Sequence, residues 1–194
     1  MKPRKRTKKW LKVLKNKRVI LGITGSIAAY KSADIARGLL EKGLKVSAVM
    51  TKEAEHFITP LTLSALIGEQ VYSSGLFGSE SHAWKMPHIE LAQEADLLLI
   101  APATANIIAK LAHGLADDLL TCVAVGTKAP ILIAPAMNTE MYNNKFVQKN
   151  CTALKEAGIK FVDPLKGKLA CGIVGDGHIA DEDSIIDSVM RSLK

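Results

Sequence analysis

The sequence has few cysteines, no long apolar run and none of three common catalytic motifs. Its three cysteines, Cys122, Cys151 and Cys171, are scattered. They predict neither a disulfide framework nor a metal site and are typical of a reducing, cytoplasmic compartment. The absence of an apolar run of about 18 residues predicts that nothing spans a membrane. Gly-x-Ser-x-Gly, His-Glu-x-x-His and Walker lysine motifs are missing, which disfavours the common hydrolase, zincin and NTPase mechanisms.

Negative charge is missing from the first 18 residues, which contain ten of the 26 Lys and Arg. The rest of the chain carries 16 basic against 19 acidic residues, so the net charge of +7 belongs to the amino-terminal segment. We expect residues 1–16 to form a basic extension that helps solubility or packs on a neighbouring subunit, with no nucleic-acid partner. Residues 17–194 are enough for one core and one domain.

Apolar runs that alternate with helical patterns indicate the fold. Strands connected by helices require right-handed crossovers, which predicts an α/β fold with a doubly wound parallel sheet, Rossmann-like or flavodoxin-like. A brief extended piece is expected at 71–72. The glycine-rich segment 163–178 is expected to be a loop that serves as a lid. The five predicted strands cover residues 18–23, 45–50, 96–101, 131–135 and 159–162.

The turn after the first strand has the composition of a phosphate site. Gly25 allows a close backbone approach, and Ser26 can cap the helix that follows. The three-glycine dinucleotide pattern is missing, and Thr51 and Lys52 stand where a dinucleotide enzyme often has an acidic residue. This favours a mononucleotide phosphate, or no nucleotide, over NAD. Phe57, taken alone, is more typical of a core aromatic than of a cofactor contact.

Further candidates follow the later strands, where open α/β sheets bind ligands. The segment 102–106 has small side chains that would let a flat ring approach the backbone. The Asn138 amide could bind a carboxylate without adding negative charge. Cys171 is either a small apolar residue or a reactive thiol over the site.

His88, at a Pro-defined helix start, is either a surface residue or a catalytic base. Because it precedes a strand, we do not expect it to reach the carboxyl edge of the sheet by the same logic, and it could come from a neighbouring subunit.

Over residues 17–193 the sequence resembles the flavin-dependent cysteine decarboxylases of the flavoprotein family, and within it the phosphopantothenoylcysteine decarboxylases of coenzyme A synthesis. The first of the shared motifs is weak alone, whereas the last two together with the histidine are highly specific. The motifs are Gly25-Ser26-Ile27, Pro87-His88-Ile89, Ala101-Pro-Ala-Thr-Ala-Asn106, Pro135-Ala-Met-Asn-Thr-Glu-Met141 and Lys168-Leu-Ala-Cys-Gly172.

The resemblance implies a flavodoxin-like homotrimer that binds FMN between subunits and leaves open whether trimers assemble further, into a dodecamer. It implies decarboxylation of 4′-phosphopantothenoylcysteine to 4′-phosphopantetheine. His88 would be the base, Asn138 would hold the substrate carboxylate, and Cys171 would supply a proton in the reductive half. Met141 and Ala170 would also contact substrate. Implied cofactor contacts are Gly25, Ser26, Ile27, Thr51, Phe57, Pro102, Ala103, Thr104, Ala105 and Asn106.

The sequence departs from the family pattern just after each of the last two motifs. Ile173 stands where the family usually has an acidic residue, His178-Ile179 where it has Arg-Met, and Tyr142 where it has Trp. Three alternatives share the fold. Cys171 disfavours a peptidyl-cysteine decarboxylase. The retention of both His88 and Cys171, together with the lack of a long acidic tail, disfavours a non-catalytic regulatory flavoprotein. A flavin prenyltransferase would need a different phosphate-binding set.

Overall fold

The computed structural model of the protein describes residues 14–73, 86–168, 172 and 174–194. Within them, a six-stranded parallel sheet has the order β3-β2-β1-β4-β5-β6. This confirms the predicted doubly wound α/β fold, because the chain adds strands on one side of β1 and then crosses to the other. The strands are β1 (Arg18–Ile23), β2 (Lys45–Met50), β3 (Val71–Tyr72), β4 (Leu97–Ala103), β5 (Ile131–Pro135) and β6 (Lys160–Phe161).

Helices cover both faces of the sheet. The capping signals are local: Thr59 and Pro60 begin α2, and Gly68 ends it with φ 72°. No helix in the described part of the chain is long and apolar enough to cross a bilayer. The α-helices are α1 (Ser32–Glu41), α2 (Pro60–Ile67), α3 (Pro87–Glu94), α4 (Ala105–Ala112), α5 (Leu119–Gly126), α6 (Thr139–Asn143), α7 (Lys145–Glu156) and α8 (Glu182–Ser192), with 3-10 helices at Ile27–Lys31 and Lys52–His56.

The alternation of side chains along the strands divides the core into two halves. Leu97 and Leu99 of β4 join α1, α2 and α8 in one apolar cluster. Leu98 and Ile100 face the other way, into a cluster with α3, α4, α5 and α7. Burial on both faces explains why the strands are continuous apolar runs, as is usual for parallel sheets.

Strand β4 is longer than predicted. We expected it to end at Ala101 and a ligand-facing loop to begin at Pro102. Instead the strand continues through Pro102 to Ala103, which pairs with Pro135 across an irregularity in the register. Pro102 and Ala103 are therefore buried strand residues, and the loop that follows β4 begins at Thr104.

The prediction of a loop over 163–178 is wrong for much of that segment. Strands β7 (Leu165–Lys168) and β8 (Val174–His178) form an antiparallel hairpin in which Gly167 pairs with Gly175. The register shifts near the base of the hairpin, where Gly177 has φ 120°. The glycines therefore belong to a paired structure, which composition alone did not reveal.

Candidate functional site

A cavity of about 850 Å³ lies between the carboxyl ends of β1 and β4. At this point the strand order reverses, because the connections on the two sides lead to opposite edges of the sheet. We call it the switch-point cavity. This is where doubly wound sheets bind ligands, and the volume is in the usual range for small-molecule pockets. Its lining includes residues from the segments at or after the ends of four strands. These residues are Thr24 and Gly25 after β1, Met50 to Glu53 at the end of β2, Thr104 to Ile107 after β4, and Met141 in α6, which follows β5.

Gly25 brings the loop after β1 close to the segment after β2. A Cβ atom on Gly25 would come within 2.5 Å of Glu53 Cβ, closer than real Cβ atoms approach. Any larger residue would therefore push these two walls of the cavity apart. Gly25 was predicted to allow another group to approach the backbone closely, and this geometry is consistent with that role. The group that approaches here is Glu53 of the protein itself and not a ligand.

Thr24 joins the two loops on either side of the switch point. Its Oγ1 donates to Pro102 O at 2.8 Å and accepts from Thr104 N at 3.1 Å, and the residue is 2% exposed. The sequence analysis did not single out Thr24. Its position at a strand end, before Gly25, was the available signal, but its partners lie about 80 residues away in the sequence.

Two helix starts line the switch-point cavity. Thr104 caps α4, with Oγ1 accepting from Ile107 N at 3.4 Å, and Ala105 and Asn106 form its first turn. Thr51 precedes the 3-10 helix Lys52–His56. Backbone N–H groups at helix starts favour an anionic group, which suits the phosphate predicted for this site.

Lys110 and Asp118 form another part of the cavity wall, and Lys110 also pairs with Asp117 outside the lining. Lys110 Nζ lies 2.8 Å from Asp117 Oδ1 and 3.0 Å from Asp118 Oδ2. Burial acts to lower the pKa of Lys110, but hydrogen bonds to Asp117 and Asp118 and their charges raise it above its ordinary value. The hydrogen bond from Lys110 lowers the pKa of Asp117. Sequence analysis missed this cluster, because nothing local marks Lys110 as facing a cavity.

Three predicted cofactor residues near the first loops do not line the switch-point cavity. Ser26 Oγ accepts from Ala28 N at 3.3 Å and donates to Ala136 O at 3.4 Å, so it joins the loops after β1 and β5. Ile27 is 58% and Phe57 45% exposed. The interpretation of Phe57 as a core residue is therefore wrong, and its ring is open to a ligand or a partner.

Asn138 lies in the segment 136–139, which we call the Asn138 loop. It caps α6, with Oδ1 accepting from Glu140 N at 2.8 Å. Met141, three residues later, lines the switch-point cavity. The structure thus brings Met141 of the predicted substrate segment to the predicted cofactor cavity, whereas Asn138 itself is not part of the lining. Ala170, Cys171 and Ile173 lie outside the described residues.

His88 lies in the first turn of α3 and is not part of the cavity lining. Its Nδ1 is buried and has no hydrogen-bond partner among the described residues. The far end of α3 is at the amino edge of the sheet, because Glu94 pairs with Arg18 at the start of β1. His88 lies about 9 Å further along the helix axis, toward the carboxyl edge. The prediction that its place before a strand keeps it from that edge ignored this helix direction.

The two cysteines that the structure describes are not activated thiols. Burial, followed by the charges of Asp118 and Asp117, raises the pKa of Cys122. Burial also raises the pKa of Cys151, which is 4% exposed. A raised pKa keeps a thiol protonated and weakly nucleophilic. Neither residue therefore competes with Cys171 as the predicted functional cysteine.

Comparison with known proteins identifies the family. The sequence profile of the family described as Flavoprotein matches residues 8–194. The chain belongs to this family. Over 176 residues it is 46% identical to the coenzyme A biosynthesis bifunctional protein CoaBC of Vibrio vulnificus (strain YJ016), covering 91% of the chain and 43% of that protein. It is 45% identical to the probable phosphopantothenoylcysteine decarboxylase of Streptococcus mutans, covering 91% of the chain and 99% of that protein.

Solved structures agree with this assignment. A cysteine-to-serine mutant of PPC decarboxylase complexed with pantothenoylaminoethenethiol matches with a TM-score of 0.81 and 36% identity, over 90% of this chain and 97% of that one. The FMN binding protein AtHal3 matches with a TM-score of 0.77 and 37% identity, over 90% and 95%. The predicted family and fold are confirmed. The chain spans less than half of the CoaBC relative and nearly all of the streptococcal one.

The family and these neighbours support a flavin cofactor, and the switch-point cavity fits one in two respects. Ala105 presents little side chain, so a flat ring system could approach the backbone there. The starts of α4 and of the 3-10 helix Lys52–His56 provide N–H groups suited to a phosphate.

Proposed function

We propose that the chain binds FMN and catalyses the decarboxylation of 4′-phosphopantothenoylcysteine to 4′-phosphopantetheine, in the cytoplasm, as a step of coenzyme A synthesis. One observation carries the proposal. Five of the residues predicted to hold the cofactor line the same cavity as Met141, from the predicted substrate segment: Gly25, Thr51, Thr104, Ala105 and Asn106. The name and near-complete coverage of the streptococcal relative support the same activity.

FMN is favoured over a dinucleotide by the end of β2. Thr51 and Lys52 stand where a dinucleotide enzyme often has an acidic residue for the ribose. In the proposed complex Gly25, Thr51 and the first turn of α4 hold the cofactor. Ser26 supports the loop after β1. Pro102 and Ala103 lie in strand β4, just before the residues of α4 that hold the cofactor. The exposed side chains of Ile27 and Phe57 contact the cofactor or a neighbouring subunit of the proposed homotrimer.

The division of chemical roles follows from what each side chain can do. The flavin, when bound, supplies a two-electron acceptor, so that the oxidised cysteine moiety of the substrate becomes an electron sink beside its carboxylate. The Asn138 amide binds and orients that carboxylate. His88 accepts a proton at its imidazole. Cys171 donates a proton to the product carbon in the reductive half, in which the two electrons accepted by the flavin would return to the enethiol.

Product analysis tests this proposal. The purified holoprotein and Cys171→Ser are incubated with 4′-phosphopantothenoylcysteine without oxygen, with the flavin spectrum recorded and the released thiol identified by mass. We expect 4′-phosphopantetheine from the parent. From Cys171→Ser we expect an enethiol lighter by one pair of hydrogen atoms, because only the reductive step is lost.

The other outcomes separate the alternatives. Release of only the lighter enethiol by both proteins would indicate an oxidative decarboxylase of the peptidyl-cysteine type. Flavin binding without turnover by the parent would favour a regulatory flavoprotein. A protein that binds no FMN would contradict the proposal as a whole.

A further inference from the structure

Strand β8 lies directly against the Asn138 loop. A Cβ atom on Gly175 would overlap Thr139, reaching its Cγ2 at 2.9 Å and its Oγ1 more closely still. A Cβ atom on Gly177 would overlap Met137 O. In addition, Met137 N donates to Gly177 O at 3.0 Å. The residues on both sides of Asn138 therefore touch β8 at distances that only glycine permits.

These contacts have little room to adjust. Because Thr139 branches at Cβ, no staggered rotamer removes both of its branch atoms from the side that Gly175 faces. The neighbour of Gly177 is a backbone carbonyl, and Gly177 also has φ 120°, which side-chain-bearing residues rarely adopt. The Thr139 Oγ1 atom is buried, with no hydrogen-bond partner among the described residues. It is held there by packing.

Asn138 is thus placed from outside its own segment. Its backbone lies between Met137 and Thr139, both in contact with β8, and its Oδ1 is bonded to Glu140 N. We propose that Gly175 and Gly177 are positioning residues that fix the Asn138 amide by close docking of β8. The consequence for substrate rests on the proposed function, in which Asn138 binds the carboxylate. The docking of β8 on the Asn138 loop does not depend on the proposed function.

The hairpin offers a matched pair of substitutions. Gly167 pairs with Gly175 across the two strands, but a Cβ atom on Gly167 would meet His178 at 3.4 Å or more, an ordinary contact. In the holoprotein we expect Gly175→Ala to lower kcat/KM for 4′-phosphopantothenoylcysteine by about tenfold to a hundredfold, because small misplacements of orienting groups are costly. Gly167→Ala should stay within about twofold.

A double variant tests the cause of the loss. Thr139→Ala removes the two branch atoms that a new Cβ on Gly175 would overlap and leaves Thr139 Cβ at 3.1 Å. Gly175→Ala/Thr139→Ala should therefore recover most of the lost kcat/KM. The FMN dissociation constant should stay within about threefold of the parent value in all variants, because Gly167, Gly175 and Thr139 do not line the switch-point cavity.

Hydrogen exchange gives a readout that needs no turnover. The amides of Met137 and Glu140 are bonded to Gly177 O and Asn138 Oδ1. In Gly175→Ala they should exchange about tenfold faster than in the parent or Gly167→Ala, and the double variant should reverse this. Equal exchange in the two glycine variants would overturn the proposal, as would loss of FMN by Gly175→Ala. An inactive parent with the expected exchange pattern would contradict only the proposed function.

Discussion

Thr24 shows how a single hydroxyl can hold a ligand cavity together. Thr24 is buried, and its hydroxyl both donates a hydrogen bond to Pro102 O and accepts one from Thr104 N. Replacing the hydroxyl with a methyl group would take the Thr24 partner away from a buried carbonyl, Pro102 O, and from a half-buried N–H, Thr104 N. Such groups cost more than the hydrogen bonds themselves contribute.

We expect Thr24→Val to weaken FMN binding by about tenfold or more, since both loops at the cavity lose their connection. Thr24→Ser, which keeps the hydroxyl, should bind within about threefold of the parent. Titration of the apoprotein, followed by quenching of flavin fluorescence, gives the dissociation constants.

Ser32 provides the control for this change. It is equally buried and its Oγ donates to Ala101 O at 3.0 Å on the same strand, but it does not line the cavity. Ser32→Ala should lower stability without changing FMN affinity. If it weakened FMN as much as Thr24→Val, the role assigned to Thr24 would be only general packing.

Asp118 begins helix α5 at the cavity wall and also pairs with Lys110. Its Oδ1 accepts from Thr121 N at 2.9 Å, while Thr121 Oγ1 accepts from Asp118 N at 3.0 Å, which together form a capping box. The cap thus satisfies the first N–H groups of α5. The position of this wall depends on where α5 begins.

We expect Asp118→Ala to lower the free energy of unfolding by about 1–2 kcal/mol, the usual cost of losing an N-cap. Asp118→Asn should lose less, because an amide oxygen also caps. Urea unfolding, followed by circular dichroism, measures both. An Asp118→Asn protein as unstable as Asp118→Ala would instead assign the effect to the ion pair with Lys110.

At the scale of elements, composition misjudged the segment 163–178. Its glycines were interpreted as the mark of a loop that serves as a lid, whereas Gly175 and Gly177 provide space against the Asn138 loop. The two uses of glycine look identical in a sequence, since both depend on the missing Cβ. The end of β4 was misplaced for a related reason: whether a strand can pass through Pro102 depends on its neighbour β5.

For the whole molecule, acid stability depends in part on a link between β1 and β4. Asp96 accepts from Lys17 Nζ and from Arg18 N, each at 2.7 Å. Partial burial acts to raise the pKa of Asp96, but these hydrogen bonds and the Lys17 charge lower it below its ordinary value. A carboxylate with a lowered folded-state pKa stabilises the fold above its unfolded pKa, and that contribution is lost as pH falls through the folded value.

Asp96→Asn should therefore reduce the free energy of unfolding at neutral pH by about 1 kcal/mol. The difference from the parent should shrink below about pH 4, where the unfolded-state carboxyl of the parent becomes protonated. Urea titrations between neutral pH and about pH 3 would give both curves. A constant difference across that range would exclude a titrating Asp96 as the cause.

The proposed trimer has a consequence for activity. If His88 reaches the site from a neighbouring subunit, His88→Asn and Asn138→Ala chains, each inactive alone, should complement each other. After unfolding, mixing and refolding together, about a quarter of sites in a cyclic assembly would contain both intact residues. We expect about that fraction of parental turnover. Separately refolded variants that are then combined serve as the control, and no gain in the mixed sample would place both residues in one subunit.

The sequence by itself determined the family, the doubly wound sheet and the loops that meet at its carboxyl edge. These follow from apolar periodicity, caps and motifs, all of which are local in the chain. Only the tertiary structure decided that Thr24 joins the loops after β1 and β4, that Lys110 faces the cavity, and that β8 docks on the Asn138 loop. The decisive contacts of Thr24 join residues 78 and 80 positions apart, and no local pattern specifies which distant groups will meet.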